Sequence, residues 1–413
     1  MNRKLVPTTL VPRRSYGRWL TRACAVTPLR QLVAGAICIA ALGASLAYAE
    51  DAKDLAKPAA SSVGDLLTAS GIKLTGYVDA SYEHLNSDGA FANGTADRTF
   101  DYRKDSFSLH QVAVTLAYQP KEGFGAFAHL IAGQDPDVFA PYDSNPGAHS
   151  KFDFPHAYVQ YATGALTVIG GRYVTLAGAE TIDPRTNFNF SRSILFGFAI
   201  PFAHTGVRAT VAASDQLTLV FGVTNGWDDL KDTNSAKTLE LGVGYTPTKA
   251  VSIAAQGYFG RERVAGLVPT GQEGMRKLID VAATWNVTDA LSLVLNYDWG
   301  RQQGAAGSGL TAGNADTARW NGLAGYVNYQ IDDHYRISLR AEYFDDKDAY
   351  RTGYVQKWKE GTLTFGYAPV KAFELRLEAR YDKAGGNFFL RSPSITDVSN
   401  NQTSVAIEGL YKF

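Results

Sequence analysis

The charged side chains of this chain are spaced for a strand, not for a catalytic centre. From Phe373 to Tyr381, the residues Glu374, Arg376, Glu378 and Arg380 take every second place, and Phe373, Leu375, Leu377, Ala379 and Tyr381 take the others. A strand sends alternate side chains to opposite faces, so one face here is oily and the other carries only charge. A ladder of mixed carboxylates and guanidiniums makes no bonds to a substrate. It sets a field for passing ions, or it neutralises itself and stiffens the wall. The same inward-type face is expected to carry Asp79, Ser81 and Glu83 in 73–85, Arg208 in 204–213, Glu240 in 238–246, and Arg336, Ser338, Arg340 and Glu342 in 335–344. With Glu374, Arg376, Glu378 and Arg380, these are the expected lining of a pore.

A second group of charges sits where the alternation stops. Residues 170–206 read Gly-Gly-Arg172-Tyr…Gly-Ala-Glu180, then Ile-Asp183-Pro-Arg185…Asn189-Phe-Ser191-Arg192-Ser, then Pro201-Phe-Ala-His204-Thr-Gly206. The same stretch holds Ile194, Leu195, Phe196, Phe198 and Ile200, which an exposed loop would not keep in water. Folding the 174–203 segment into a lumen would bury them against the wall and narrow the passage. Arg172, Glu180, Asp183, Arg185, Arg192, His204 and Arg208 are therefore the expected constriction. The competing reading is that Glu180 and Arg192 brace the segment, and that Gly171, Pro201 and Gly206 only shape its turns.

Other chemistries find little support. The seven histidines (84, 110, 129, 149, 156, 204 and 334) show no metal-ligand spacing. No Gly-x-Ser-x-Gly elbow occurs. Asp345-Asp346-Lys347-Asp348 and Asp135-Pro136-Asp137 read as solvated loop acids. No metal and no cofactor is expected.

The elements that position these charges repeat along the chain. Tyr245-Thr-Pro-Thr-Lys-Ala-Val-Ser252, Trp285-Asn-Val-Thr-Asp-Ala-Leu-Ser292 and Tyr367-Ala-Pro-Val-Lys-Ala-Phe-Glu374 are nearly one sequence: an aromatic residue, a tight turn, a new strand. Sixteen segments of about ten residues can be marked from residue 73 to the end, about the length a tilted strand needs to cross the hydrocarbon layer. They are joined alternately by seven short turns and eight long loops. Aromatics flank both ends: Tyr118, Tyr245, Trp285, Tyr329, Tyr335, Tyr367 and Phe373 beside short turns, and Tyr297, Trp299, Trp320, Tyr343 and Tyr381 beside long loops. Two aromatic belts and period-two alternation predict an all-β fold, a transmembrane antiparallel β-barrel of about 16 strands with one long inward-folded loop.

The ends of the chain agree. Residues 1–49 carry Arg3, Lys4, Arg13, Arg14, Arg18, Arg22 and Arg30, no acid, an apolar run from Leu32, and the small-x-small ending Ala47-Tyr48-Ala49. This reads as a secretory signal peptide cleaved before Glu50. Residues 50–70 read as a periplasmic lead-in and 71–413 as the barrel. Both cysteines, Cys24 and Cys38, lie in the leader, so the exported chain would have no thiol chemistry. Removing seven of the 40 Lys/Arg leaves 33 against 40 Asp/Glu, a net charge near −7 that argues against nucleic acid as a partner. Val405, Ile407, Gly409, Tyr411 and the terminal Phe413 share one face, the pattern that outer-membrane barrels present to their assembly machinery.

The order Gly-Arg-Tyr…Gly-Ala-Glu…Asp-Pro…Asn…Ser-Arg-Ser…Pro-Phe-Ala-His-Thr-Gly, followed by a strand with Arg208, resembles the OmpL-like β-barrel porins of Gram-negative bacteria. The likeness spans Gly71 to Phe413. It implies a bacterial outer-membrane location, contact with membrane lipid and lipopolysaccharide, and passage of small polar solutes or ions. On its motif positions it marks Arg172, Glu180, Asn189, Ser191, Arg192 and His204. Sixteen-stranded porins are often trimers, which makes a homotrimer an expectation, although no sequence patch singles it out. The expected function is passive diffusion through a water-filled barrel constricted by 174–203, without enzymatic activity. The alternatives are a barrel-borne hydrolase (lipase or protease) and a loop-based adhesin.

Overall fold

The computed structural model describes residues 67, 69–87, 89–90, 97–139, 150–263, 273–305, 317–391 and 397–413. The expected leader, 1–49, and nearly all of the 50–70 lead-in lie outside the described residues. Gly71–Phe413 forms one unit.

Sixteen strands close that unit into a barrel. They are β1 (Lys73–Leu85), β2 (Ser106–Tyr118), β3 (Gly123–Gly133), β4 (Phe152–Thr163), β5 (Leu166–Val174), β6 (Ala203–Ala212), β7 (Leu217–Thr224), β8 (Thr238–Thr248), β9 (Val251–Arg263), β10 (Glu273–Asn286), β11 (Leu291–Gln302), β12 (Ala318–Gln330), β13 (Tyr335–Asp346), β14 (Gln356–Val370), β15 (Phe373–Lys383) and β16 (Asn401–Lys412). Each pairs antiparallel with its neighbours in sequence, and β1 pairs with β16 through Tyr77↔Lys412 to Leu85↔Ser404. The sixteen expected segments match these strands to within a few residues. Closure matters physically: it leaves no unpaired strand edge, the condition for a sheet to stand in lipid.

The two faces follow the alternation. On β15, Glu374, Arg376, Glu378 and Arg380 are buried inside, while Leu377 and Tyr381 are exposed outside. On β16, Val405, Ile407, Tyr411 and Phe413 are all exposed, and Gln402, Ser404, Glu408 and Leu410 are enclosed. A polar interior with an apolar exterior inverts the pattern of a water-soluble protein. The exterior is what a barrel shows to lipid.

One aromatic leaves its expected belt. Trp320 is fully buried and points inward, with its indole Nε1 donating to the Ala199 carbonyl at 3.0 Å. Gly300 stands opposite it in register, and a Cβ there would lie 2.1 Å from the indole. The missing side chain on β11 is the seat for the ring. Tyr297 and Tyr381 remain exposed near the long loops, and Tyr245, Trp285, Tyr329 and Tyr335 near the short turns.

The barrel seam is finished by Phe413. Phe413 exchanges backbone hydrogen bonds with Gly76, 2.8 Å and 3.0 Å long. Its ring covers Gly76, where a Cβ would sit 2.3 Å from the ring carbon Cζ.

Candidate functional site

The connection between β5 and β6, residues 175–202, is the longest of the barrel, and it turns into the lumen. Two local features shape it. Asp183 caps a short 3-10 turn at Pro184–Thr186, its carboxylate accepting from the Arg185 amide at 2.9 Å. Leu195–Ala199 forms a single π-helical turn that packs on β11 and β12. Ile194, Leu195, Phe196, Ala199, Ile200 and Phe202 are all buried there, among Phe100, Trp320 and Phe344. The apolar residues that could not stay in water thus form a small core inside the barrel.

The wall holds this segment by its backbone. Glu342 accepts from the amides of Ile194 (2.7 Å) and Leu195 (3.1 Å), and Glu378 from those of Phe190 (2.8 Å) and Ser191 (3.0 Å). Arg340 donates to Glu180 at 2.7 Å, to the Ser191 carbonyl at 2.7 Å, and to Glu360 at 3.0 Å. Arg380 donates to the Arg192 carbonyl, Arg376 to the Pro184 carbonyl, and Arg336 to the Phe188 carbonyl. Asn189 donates to Thr364, and Glu180 accepts from the Ser193 amide. An irregular backbone inside a barrel must find partners for its N–H and C=O groups, and the charges of β13 to β15 supply them.

The lining expected of β13 and β15 does face inward, but under the inserted segment rather than beside open water. Arg340 is fully buried, and Glu342, Glu374, Arg376, Glu378 and Arg380 are nearly so. Arg336 pairs with Glu374. On β1, Asp79 is buried, and Glu83 binds Arg98 of the following loop at 2.8 Å, which in turn holds Asp101 and Asp382 at 2.7 Å each. Arg98, from a loop the alternation left unassigned, is buried too and closes over the same side of the lumen.

The expected constriction residues separate into two groups. Arg192 is buried, its guanidinium donating to the carbonyls of Thr181, Phe190 and Ile182. Glu180 is enclosed by Arg340 and Ser193. Arg208 pairs with Glu240 at 2.7 Å and stacks over Tyr173, and His204 is buried against Tyr258 with ring centres 4.7 Å apart. Arg172 lies toward the end of β5 and pairs with Asp153 at 3.1 Å. Only Asp183 and Arg185 of this set face open space. They form a chelated pair, with 24% of each side chain exposed, and Arg185 lies over the Tyr77 ring at 4.5 Å.

That open space is a cavity of about 400 Å³ between Thr181–Thr186 and the inner face of β1 to β4. Its wall side is built by Lys73, Thr115, Phe127, His129 and His156. The spacing of the histidines in sequence gave no hint of this. The usable signal was register: His129 and His156 stand directly opposite on β3 and β4, on the face that also carries Phe127 and Tyr158. A second hollow of about 630 Å³ lies at the short-turn end, beside Phe188, Lys249, Asn286, Asn328 and Arg336.

Several of the expected solvated acids are not solvated. Asp346 is fully buried and accepts from the amides of Tyr350, Arg351 and Thr352, organising the turn after β13. Asp135 is buried against His110 at 2.9 Å and Gln111 at 2.8 Å. Asp346 ends β13 in phase with Arg340 and Glu342, and Asp135 lies two residues beyond β3, so both reach into the lumen. Among the described residues no group of three or more His, Cys, Asp or Glu is placed to hold a metal.

The fold has many solved counterparts. OmpT of Vibrio cholerae in its trimer form superposes with a TM-score of 0.57 at 11% identity, covering 83% of this chain and 99% of that one. The anion-selective porin from Comamonas acidovorans gives 0.55 at 14% identity, covering 83% and 99%. The outer membrane channel DcaP of Acinetobacter baumannii gives 0.54 at 14% identity, covering 83% and 97%. At such identities the likeness shows the barrel alone. Among curated proteins, no sequence matches the chain. Over residues 71–413 it does match the family described as "Putative beta-barrel porin-2, OmpL-like", and with its closed sixteen-stranded barrel it belongs to that family of outer-membrane porins.

Proposed function

We propose that this porin passes small polar solutes and ions by diffusion, along the cavity between Thr181–Thr186 and β1 to β4. The observation that carries this is the uneven fastening of the inserted segment. Backbone clamps fasten it most densely to β13–β15, and a gap with two partly exposed charges remains between it and β1 to β4. Asp183 and Arg185 then act as the filter, while Glu180, Arg192, His204 and Arg208 hold its frame. Sixteen strands leave room for such a path, whereas eight-stranded barrels fill with side chains. Planar-bilayer recording tests the reading. Stable ohmic steps whose reversal potential moves with Arg185→Glu, but not with Arg192→Gln, are the expected result. A barrel that passes no current sinks it.

The hydrolase reading has one observation in its favour. Ser81 Oγ lies 2.8 Å from His110 Nε2, and His110 Nδ1 lies 2.9 Å from Asp135, a serine–histidine–acid order. The surroundings oppose catalysis. Asp79 and Glu408 also face the imidazole, so the site is rich in negative charge where an oxyanion would need donors. Phe190 packs edge-on against the ring, and Ser81 is only 6% exposed. We read the trio as a strut. Covalent labelling of Ser81 by a fluorophosphonate would reverse that view.

The family setting supports two finer inferences. The 1–49 leader is removed before Glu50, which N-terminal sequencing of the membrane-embedded protein tests. The chain forms a homotrimer in lipid, the assembly in which OmpT of V. cholerae has been solved. Native mass measurement in detergent tests this.

A further inference from the structure

The inner wall carries several pairs of acids that face one another, and four of them share a pattern. Asp79 and Glu408 have Arg376, at 3.1 Å from Glu408. Glu342 and Glu360 have Arg340, Asp97 and Asp382 have Arg98 and Arg380, and Asp229 and Glu262 have Arg276. In each, a guanidinium offsets the cost of enclosing two carboxylates.

Asp280 and Asp298 break that pattern. They stand directly opposite on β10 and β11, within hydrogen-bond distance of each other, and neither is accessible to solvent. The groups that act most on them are each other, Glu342 beside Asp298, and the Asn296 and Gly178 amides beside Asp280. The Asp298 carboxylate has no donor on either oxygen, and Asp280 Oδ1 has none. The other Asp280 oxygen accepts from the Asn296 amide at 2.6 Å. The inserted segment lies against this spot: Ala179 N donates to Asn296 Oδ1 at 3.2 Å, and the Gly178 amide faces Asp280. Two enclosed like charges without a counter-charge are strongly unfavourable.

We propose that Asp280 and Asp298 bind a hard divalent cation, Ca²⁺ or Mg²⁺, which pins the root of the inserted segment to the wall. Three carboxylate oxygens without donors, and no sulfur or imidazole, are donors of the type these ions take. Water fills the remaining positions, as such ions keep part of their hydration shell. The site does the work that Arg340 does elsewhere in the lumen, with a metal in place of a guanidinium. It is independent of which solute the channel carries.

The test uses full-length protein refolded in detergent, free of lipopolysaccharide and treated with chelator. Adding millimolar CaCl₂ or MgCl₂ at constant ionic strength should raise the unfolding temperature by at least about 3 °C, the size that saturating ligand gives a protein of this length. Metal analysis after dialysis should give one ion per chain. Asp298→Asn and Asp280→Asn should each abolish the shift. Without metal, both should be at least as stable as the chelated parent, because they remove a like-charge contact. If the parent shows no shift, the pair shares a proton and the proposal fails. If the variants keep the full shift, the ion sits elsewhere and the proposal also fails.

Discussion

Arg340 and Glu180 are 160 residues apart in sequence, and their charged groups meet at 2.7 Å inside the barrel. Arg340 is fully buried there, with Ser191, Glu360 and Thr362 completing its partners. The strand alternation placed this arginine on the inner face, and the segment resemblance marked Glu180. Their meeting joins the two groups of charges into one device: wall charges that fasten a plug.

Removing Arg340 should loosen that plug. Breaking a buried ion pair by deleting one partner costs about 3–5 kcal/mol. The sixteen-strand ladder does not depend on it, so Arg340→Ala should keep its circular dichroism spectrum. Its single-channel steps should be larger and noisier than the parent's. Unchanged conductance and noise would mean that the segment is held by its apolar core alone.

The same logic grades Glu342 and Glu378. Alanine at either leaves two enclosed amides without an acceptor, at a cost of about 1–3 kcal/mol each. Glutamine keeps an acceptor oxygen. Proteolytic nicking within 186–196 should therefore rise in the order parent, Gln, Ala at both positions. Equal nicking of Gln and Ala variants would show that the carboxylate charge, not the hydrogen bonding, does the holding.

Selectivity should respond at Arg185. Its partner Asp183 balances it, so reversing the sign exposes two adjacent acids to the passage. A charge next to a permeating ion is worth on the order of 1 kcal/mol in water and more at a protein surface. Arg185→Glu should thus raise the cation-to-anion permeability ratio about fivefold or more, read as a reversal-potential shift in a salt gradient. A shift of the opposite sign would place the limiting charge elsewhere.

The sequence was legible wherever one geometric rule acts on every residue. Period two placed β15 and β16 correctly to the side chain, because a one-residue slip would turn Glu374 and Arg376 into lipid. The inward turn of 175–202 was legible from Ile194, Leu195 and Phe196, which had nowhere else to go. What was not legible depends on pairs distant in sequence. His129 and His156 line the passage only through the β3–β4 register, and Asp280 meets Asp298 only through β10–β11. Trp320 looked like a belt residue until Gly300 opened a place for it inside. Arg98 lies in a loop, where no period constrains direction, whereas Asp346 is in phase with Arg340 and Glu342 and was missed because the expected strand stops at residue 344.

Barrel closure should depend on Gly76. A side chain there would lie 2.3 Å from the Phe413 ring and 2.5 Å from the Ala113 carbonyl. Overpacking of this kind costs about 1–3 kcal/mol, and here it falls on the seam between first and last strands. Gly76→Val should slow conversion to the compact, heat-modifiable form on refolding. Phe413→Ala in the Gly76→Val background should recover part of the rate by removing the clash with the ring. A Val variant that folds at the parent rate would show that the seam closes before the terminal ring docks.

The last expectation concerns pH at the end of the inserted segment. Asp228, in the loop after β7, accepts from the amides of Phe202 (2.6 Å) and Ala203 (3.0 Å). Burial pushes its carboxyl up from the ordinary 3.8 to about 6, against those two hydrogen bonds. Burial and the nearby Glu262 push Asp229 up to about 7. The folded state therefore keeps protons that the unfolded chain releases near pH 4. Stability rises with pH only where the unfolded state binds more protons, so here it falls as pH climbs from about 4 to 7 and levels off above. Hydrogen exchange at the Phe202 and Ala203 amides, corrected for intrinsic rates, should show greater protection at pH 5 than at pH 8. Asp228→Asn should flatten that difference, leaving only the contribution of Asp229. Protection that increases toward pH 8 in the parent would mean that the two amides stabilise the ionised carboxylate more than burial destabilises it.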